Sequence, residues 1–93
     1  MIIDFGNKET KLIFEGIVSD KVPHQIQQIA RRKLRMLNNS QNINDLRIPP
    51  SNHLEKLVGK YKGQNSMRIN NTWRIVFDWV NNNAYNVTII DYH

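Results

Sequence analysis

The chain ends in three side chains that can move or orient protons, Asp91, Tyr92 and His93. Histidine changes its charge near neutral pH, so His93 is a candidate acid or base. Asp91 can orient an imidazole or a substrate hydroxyl, and Tyr92 can donate a hydrogen bond or stack on a nucleobase. The alternative interpretation is a frayed C-terminus, because disorder concentrates at chain ends.

Two further histidines precede this tail. His53 follows the Pro49-Pro50 pair, and it would meet His93 on one surface if the last strand lay beside the segment that begins near His53. His24 follows Pro23 at a predicted helix start, where a capping or exposed role is expected. His53 and His93 are therefore the candidate acid–base pair.

Basic side chains surround these candidates in the sequence. Arg74 falls among aromatic and branched residues on a predicted central strand, where a charge needs a reason. Cleavage of RNA by its own 2′-hydroxyl needs a base, an acid and cations for the charge that builds on phosphate, and it needs no metal ion. The candidate phosphate- or RNA-binding residues are Lys56, Arg68, Arg74, Lys60 and Lys62.

The charge balance favours a polyanionic partner. Thirteen Lys and Arg residues oppose eight Asp and Glu residues, which gives a net charge of +5 on 93 residues. The resulting positive potential attracts nucleic acid. An acidic protein partner and a simple contribution to solubility remain open alternatives.

Several classes of protein are disfavoured by composition. The chain has no cysteine, which excludes disulfides and cysteine-ligated zinc, and its histidines and aspartates lack metal-ligand spacing. We expect no metal and no cofactor. No apolar run reaches the length of a membrane span, and no signal peptide is recognisable, so we expect a cytoplasmic protein.

Helical periodicity dominates the N-terminal half. A first helix is predicted from Lys8, with an apolar face formed by Leu12, Ile13, Gly16 and Ile17. Gly16 weakens this helix, so we expect it to be short. A second is predicted over residues 24–38, with arginines 31, 32 and 35 mainly on its wet side. Its apolar stripe is formed by Ile26, Ile29, Ala30, Leu34 and Leu37. The two helices should form an antiparallel hairpin.

Alternating segments dominate the rest of the chain. Strands are predicted over residues 53–57, 66–70, 73–80 and 85–90, with residues 1–5 as a possible edge strand. A helical turn is predicted at Asp45-Leu46, and the Pro49-Pro50 pair predicts an extended connection after it. Asparagine-rich turns join the last three strands into an antiparallel meander. We therefore predict a single α+β domain over residues 1–93, with an N-terminal helical hairpin packed on one face of a small antiparallel sheet.

Three segments together resemble the HigB toxins, a branch of the RelE/ParE toxin superfamily. Residues 52–59, NHLEKLVG, resemble the segment before the core hairpin of that family. Residues 71–77, NTWRIVF, resemble its central NxWRIxF strand, and Asp91-Tyr92-His93 resembles its C-terminal DYH. The helical hairpin matches in position and length, so the resemblance covers essentially the whole chain.

The resemblance implies a RelE-like fold and a toxin of a type II toxin–antitoxin system that cleaves mRNA in the ribosomal A site. It implies a HigA-type helix-turn-helix antitoxin as partner, with operator DNA contacted only through that antitoxin. Lys56 and Arg74 would hold phosphate or stabilise the pentacovalent transition state, while Arg68 has no secure family match. The implied acid–base group is His53, Asp91, Tyr92 and His93.

Two alternative functions remain compatible with the residues. One is a non-catalytic RNA- or ribosome-binding module that inhibits by occupancy. The other is a DNA-binding regulator that uses the basic side of the second helix, with Arg31 and Arg35 in contact with the duplex.

Overall fold

Helices come first and strands last along the chain. The computed structural model describes residues 1–92, so His93 lies outside the described residues. The helices are α1 (Lys8–Phe14) and α2 (His24–Asn39), and the strands are β1 (Glu55–Lys56), β2 (Asn65–Arg68), β3 (Trp73–Val80) and β4 (Asn83–Asp91). This order confirms the predicted α+β class. Within residues 1–92, neither helix has the length and apolar character that a membrane crossing requires.

Helix α1 is short, as the glycine in its apolar pattern predicts. Asn7 caps its start, accepting a hydrogen bond from the backbone N–H of Thr10 at 2.9 Å. Gly16 has a φ of +85°, a left-handed conformation that ends helices and suits glycine. The prediction that Gly16 and Ile17 continue the apolar face was wrong, because the helix has ended and Ile17 is 53% exposed.

Helix α2 matches its prediction closely. Ile26, Ala30, Leu34 and Leu37 are buried, as the spacing of three and four requires, whereas Ile29 is only partly buried. A lysine, Lys33, also lies on the buried face. The helix therefore packs against the sheet with one charged group inside its apolar stripe.

The connection after α2 contains two short 3-10 turns. Ile43–Arg47 confirms the helical turn predicted at Asp45-Leu46, whereas Pro50–Asn52 falls in the segment predicted to be extended. Pro49 is extended, with φ −72° and ψ 156°, but Pro50 occupies the first position of its turn, where the missing N–H costs nothing. The prediction for Pro49-Pro50 was thus half right.

The four strands form an antiparallel sheet in the order β1-β2-β3-β4, which confirms the meander. Strand β3 has the predicted bounds, and Asn81 and Asn82 link it to β4 with φ values of +51° and +63°. Strand β1 keeps only two residues of the predicted segment 53–57. A register shift between Val76 and Asp78 accompanies Asn86, whose φ is +53°, and this bulge escaped the sequence pattern.

The outer edge of β4 is covered by the N-terminal segment. Isolated parallel bridges join Ile2 to Ala84 and Phe5 to Val87, in place of the predicted regular edge strand. Further along, the hydroxyl of Thr10 in α1 accepts the backbone N–H of Ile89 at 2.9 Å. Backbone groups at the outer edge of β4 therefore form hydrogen bonds with residues that are far away in sequence.

The two faces of the sheet have different roles. Side chains on the face that meets the helices form the core, with Ile75 and Phe77 fully buried and Trp73 and Trp79 packed against them. This confirms the alternation predicted for β3. Because paired residues share a face, Arg74, Arg68 and Ile90 lie on the face away from the helices. That second face carries the candidate site.

Candidate active site

Arg74 is the centre of the candidate site. Its side chain is 12% exposed, and Nη1 donates to Oε1 of Glu55 at 2.5 Å. Nη2 donates to the backbone carbonyl of His53 at 3.0 Å, and the guanidinium carbon lies 5.7 Å from the ring centroid of Tyr92. Within residues 1–92, its Nε is buried without a hydrogen-bond partner. These contacts explain why a charge occupies a central strand.

A second arginine lies directly across the strand pair. The register places Arg68 of β2 opposite Arg74 of β3, so both guanidinium groups project from the same face. Arg68 is held by a hydrogen bond from Nη2 to the side-chain oxygen of Asn71. Adjacent like charges repel one another, and a bound phosphate relieves that repulsion.

Aromatic rings border the arginines. Gly59–Tyr61 forms a 3-10 turn that brings the Tyr61 ring to 6.1 Å from the ring of Tyr92, centroid to centroid. The ammonium of Lys60 lies 5.4 Å from the Tyr61 centroid, while Lys62 is exposed in the same loop. Tyr92 is anchored through its backbone N–H, which donates to the carbonyl of Thr72 at 2.7 Å. Partly buried rings beside cations can stack on nucleobases.

His53 has a constrained backbone and an exposed side chain. Its φ of +43° and ψ of 54° lie in the left-handed region, which few residues with a Cβ occupy. Its N–H donates to the carbonyl of Pro50 at 3.0 Å, and its carbonyl accepts from Arg74. Residues held in such conformations concentrate at functional sites.

The last strand does not lie beside the segment of His53. The sheet order places β1 and β4 at opposite ends, with β2 and β3 between them, so the imagined strand pairing was wrong. Each strand pairs with the next strand in the sequence, so β1 and β4 are separated by the two strands between them. Arg74 instead connects the two regions, since it touches both the His53 carbonyl and the Tyr92 ring.

The predicted site residues do not all project from one face. Asp91 pairs with Trp73, so strand alternation places its side chain on the face opposite Arg74 and Tyr92. Lys56 pairs with Asn65 and is exposed on the side opposite Glu55. The structure gathers His53, Arg68, Arg74, Tyr92 and Lys60 around one surface, and His93 lies outside the described residues.

Some contributing residues escaped sequence reasoning. Glu55 binds Arg74 from a strand of two residues, and no local pattern indicates a partner 19 positions away. Lys33 and Asn52 form a buried pair behind His53, with Nζ and Oδ1 3.0 Å apart. A signal existed for Lys33, because it follows Ala30 by three positions and precedes Leu37 by four, on the apolar stripe.

The cationic, aromatic surface fits contact with a single-stranded polyanion, and comparison with known proteins agrees with the resemblance. A family model described as a RelE-like toxin of the type II toxin-antitoxin system HigB matches residues 4–93. The chain belongs to this HigB-like toxin family. The family motifs identified in the sequence therefore lie within a matched region that includes every candidate site residue of this toxin.

Two curated relatives match the toxin over its whole length. Toxin HigB-1 of Vibrio cholerae serotype O1 is 37% identical over 94 residues, covering 100% of this chain and 98% of the relative. Endoribonuclease HigB of Proteus vulgaris is 32% identical over 93 residues, covering 100% of both chains. The toxin is therefore similar in extent to both relatives.

A solved structure supports the fold. A chain of the YoeB–YefM complex from Staphylococcus aureus superposes with a TM-score of 0.60 at 17% identity, covering 100% of this toxin and 95% of that chain. The predicted RelE-like architecture, helices packed on an antiparallel sheet, is confirmed at the level of the fold.

Proposed function

We propose that this toxin is a metal-independent endoribonuclease that cleaves mRNA in the ribosomal A site. The observation that carries the proposal is the position of Arg74, which contacts both the His53 backbone and the Tyr92 ring on a face free of helices. The name of the Proteus vulgaris relative, an endoribonuclease, supports the same activity.

The proposed reaction is attack by the 2′-hydroxyl on the neighbouring phosphorus. A base removes the hydroxyl proton, the O2′–P bond forms, and the P–O5′ bond breaks while an acid donates a proton to O5′. The products are a 2′,3′-cyclic phosphate and a 5′-hydroxyl. His53 and His93 are the imidazoles proposed for these two proton transfers, and Tyr92 completes the acid–base group. Asp91, which the resemblance adds to this group, projects from the other face and is assigned no step.

The cations have a separate task in this reaction. Negative charge increases on the phosphate oxygens as the pentacovalent transition state forms, and fixed donors stabilise that charge without reorganising. Arg74 is fixed by Glu55 and by the His53 carbonyl. We assign the same task to Arg68, and RNA-backbone binding to Lys56, Lys60 and Lys62.

The proposed partners follow from the family. A type II toxin is paired with an antitoxin, and in the Staphylococcus aureus structure YoeB is in complex with YefM. We propose a HigA-type helix-turn-helix antitoxin, with operator DNA contacted only through it. The proposed targets, mRNA and the small ribosomal subunit, place the action in the cytoplasm.

The test combines growth and message mapping. His53→Gln and His93→Ala are induced singly and together, and message 5′ ends on ribosomes are mapped after induction. We expect the double variant to lose both growth arrest and cleavage while circular dichroism shows an unchanged fold. Lys11→Gln, an exposed change on α1, serves as the matched control and should retain both.

Two outcomes would contradict the proposal. Full toxicity of the double variant would exclude the acid–base assignment. Growth arrest by the wild type with intact messages would favour an inhibitor that acts by occupying the ribosome.

A further inference from the structure

A buried lysine joins helix α2 to the loop that carries His53. Only 7% of the Lys33 surface is exposed. Its ammonium donates to Oδ1 of Asn52 at 3.0 Å and to the backbone carbonyl of Arg68 at 2.8 Å. Burial, with smaller contributions from the charges of Arg32 and Arg68, lowers the pKa of Lys33. A cation in such a place opposes folding unless its contacts compensate, which points to a role beyond packing.

Asn52 is fully buried and uses both ends of its amide. While Oδ1 accepts from Lys33, Nδ2 donates to the carbonyl of Leu46 at 3.0 Å and lies 3.2 Å from the sulfur of Met36. The side chain thereby connects the turn before His53 to helix α2 and to the preceding turn. A buried amide with all these partners resists displacement, because any shift leaves polar groups unsatisfied.

The residue after Asn52 is His53, in its left-handed conformation. This backbone geometry is unfavourable for a residue with a Cβ and persists only where the surroundings hold it. The buried side chain of Asn52 fixes the backbone just before His53, and Arg74 fixes the His53 carbonyl by a hydrogen bond. Lys33 also binds the Arg68 carbonyl, so one ammonium connects the His53 loop to the strand that carries Arg68.

We propose that Lys33 and Asn52 are positioning residues for the cleavage reaction. Their shared contact fixes the place of the His53 imidazole relative to the guanidinium groups of Arg68 and Arg74. The inference rests on the proposed endoribonuclease function, so its test includes a measurement that needs no RNA.

The first measurement is amide hydrogen exchange on the full-length Lys33→Met variant. The N–H groups of Asn52 and His53 donate to the carbonyls of Pro49 and Pro50, both at 3.0 Å. We expect their exchange to accelerate at least about tenfold, which corresponds to a loss of about 1.4 kcal/mol of local protection, while the amides of β3 keep their rates. Lys11→Met, which removes the same charge from an exposed position, should change neither set.

The second measurement is cleavage of message bound to purified ribosomes by the same variants. Misplacing a reacting group by about 1 Å can reduce the rate about 100-fold, so we expect kcat to fall about 10- to 100-fold. KM should change less than about twofold, because the basic surface residues are intact. A purely structural lysine would instead accelerate exchange throughout the protein, and that result would overturn the proposal. An unchanged kcat despite local exchange would overturn it as well.

A second variant covers the case in which Lys33→Met does not fold. Lys33→Gln is neutral and shorter, but its amide keeps an N–H donor, so partial changes are expected in both measurements. Wild-type values in both would overturn the proposal. If the wild type cleaves no ribosome-bound message, the proposed function fails, whereas the exchange rates still decide whether Lys33 holds His53 in place.

Discussion

The guanidinium of Arg74 donates to the backbone carbonyl of His53 at 3.0 Å across 21 positions of sequence. Strand β2 lies between the strand of Arg74 and the segment of His53, so the contact depends on the length and the forked donors of arginine. The charge proposed to stabilise phosphate is therefore mechanically connected to the residue proposed to move a proton.

Replacing Arg74 by lysine should impair cleavage even though the charge is kept. Lysine can retain one contact with Glu55, but its single ammonium cannot also bind the His53 carbonyl and lie over the Tyr92 ring. We expect kcat/KM for RNA to fall on the order of 100-fold. Arg35→Lys, an exposed substitution on α2 at the helix-bearing side of the sheet, should preserve the rate. Equal rates for wild type and Arg74→Lys would show that the several N–H donors of the guanidinium have no role in cleavage.

Two substitutions of Tyr92 separate its hydroxyl from its ring. Tyr92→Phe keeps the contacts with Tyr61 and Arg74 and removes the phenol, so cleavage should slow about 100-fold with RNA binding unchanged. Tyr92→Ala should weaken RNA binding too, as measured by fluorescence anisotropy. Tyr85→Phe, within β4, provides the control. If Tyr92→Phe cleaves at the wild-type rate, the phenol has no part in proton transfer.

Stability should depend on the hydroxyl of Thr10. It accepts the backbone N–H of Ile89 and donates to Oδ1 of Asn7 at 2.6 Å, in a fully buried position. Thr10→Val keeps the shape and leaves that N–H without its acceptor, which should lower the free energy of unfolding by about 1–3 kcal/mol. Denaturant titration measures the loss. Thr88→Val removes a hydroxyl that donates to the exposed Asn86 carbonyl at 2.9 Å and leaves no N–H without an acceptor, so it should lower the free energy by less than about 1 kcal/mol.

The lowered pKa of Lys33 predicts a pH dependence of stability. Between that lowered pKa and the ordinary lysine value of 10.5, the unfolded chain binds this proton more often than the folded protein does. The free energy of unfolding therefore rises with pH in this window, and below it the cost of burying the charge is constant. We expect the difference between wild type and Lys33→Met to move in favour of the wild type as the pH becomes alkaline. If the stability difference between wild type and Lys33→Met did not change with pH, Lys33 would not have a lowered pKa in the folded protein.

The local elements could be predicted because their causes are local. The alternation in residues 73–80 gave β3 its bounds, and the apolar stripe of α2 gave its buried face. Gly16 is another local cause, since a glycine in the apolar pattern predicts the short α1 that the structure shows. The bulge at Asn86 left no signal in the alternating pattern, although the strand predicted over residues 85–90 lies within β4.

The site was predictable in its residue types and only partly in its assembly. His53, Arg74 and Tyr92 stood out because their chemistry suits phosphate cleavage and because their motifs resemble those of HigB toxins. Glu55 and the Lys33–Asn52 pair did not, since each acts through a partner 19 positions away. Long-range partners depend on how elements pack, and periodicity carries no information about that.

The sequence by itself determined the α+β class, the meander, the family and the excess of positive charge. The class and the meander follow from local periodicity and turn chemistry, the charge follows from composition, and the family follows from three motifs that resemble those of HigB toxins. Only the tertiary structure decided that β1 and β4 lie at opposite ends of the sheet and that Arg74 joins His53 to Tyr92 between them. It also decided that Asp91 projects from the other face. Register and strand order arise from the packing of the whole domain, so residues distant along the chain become neighbours only in the folded protein.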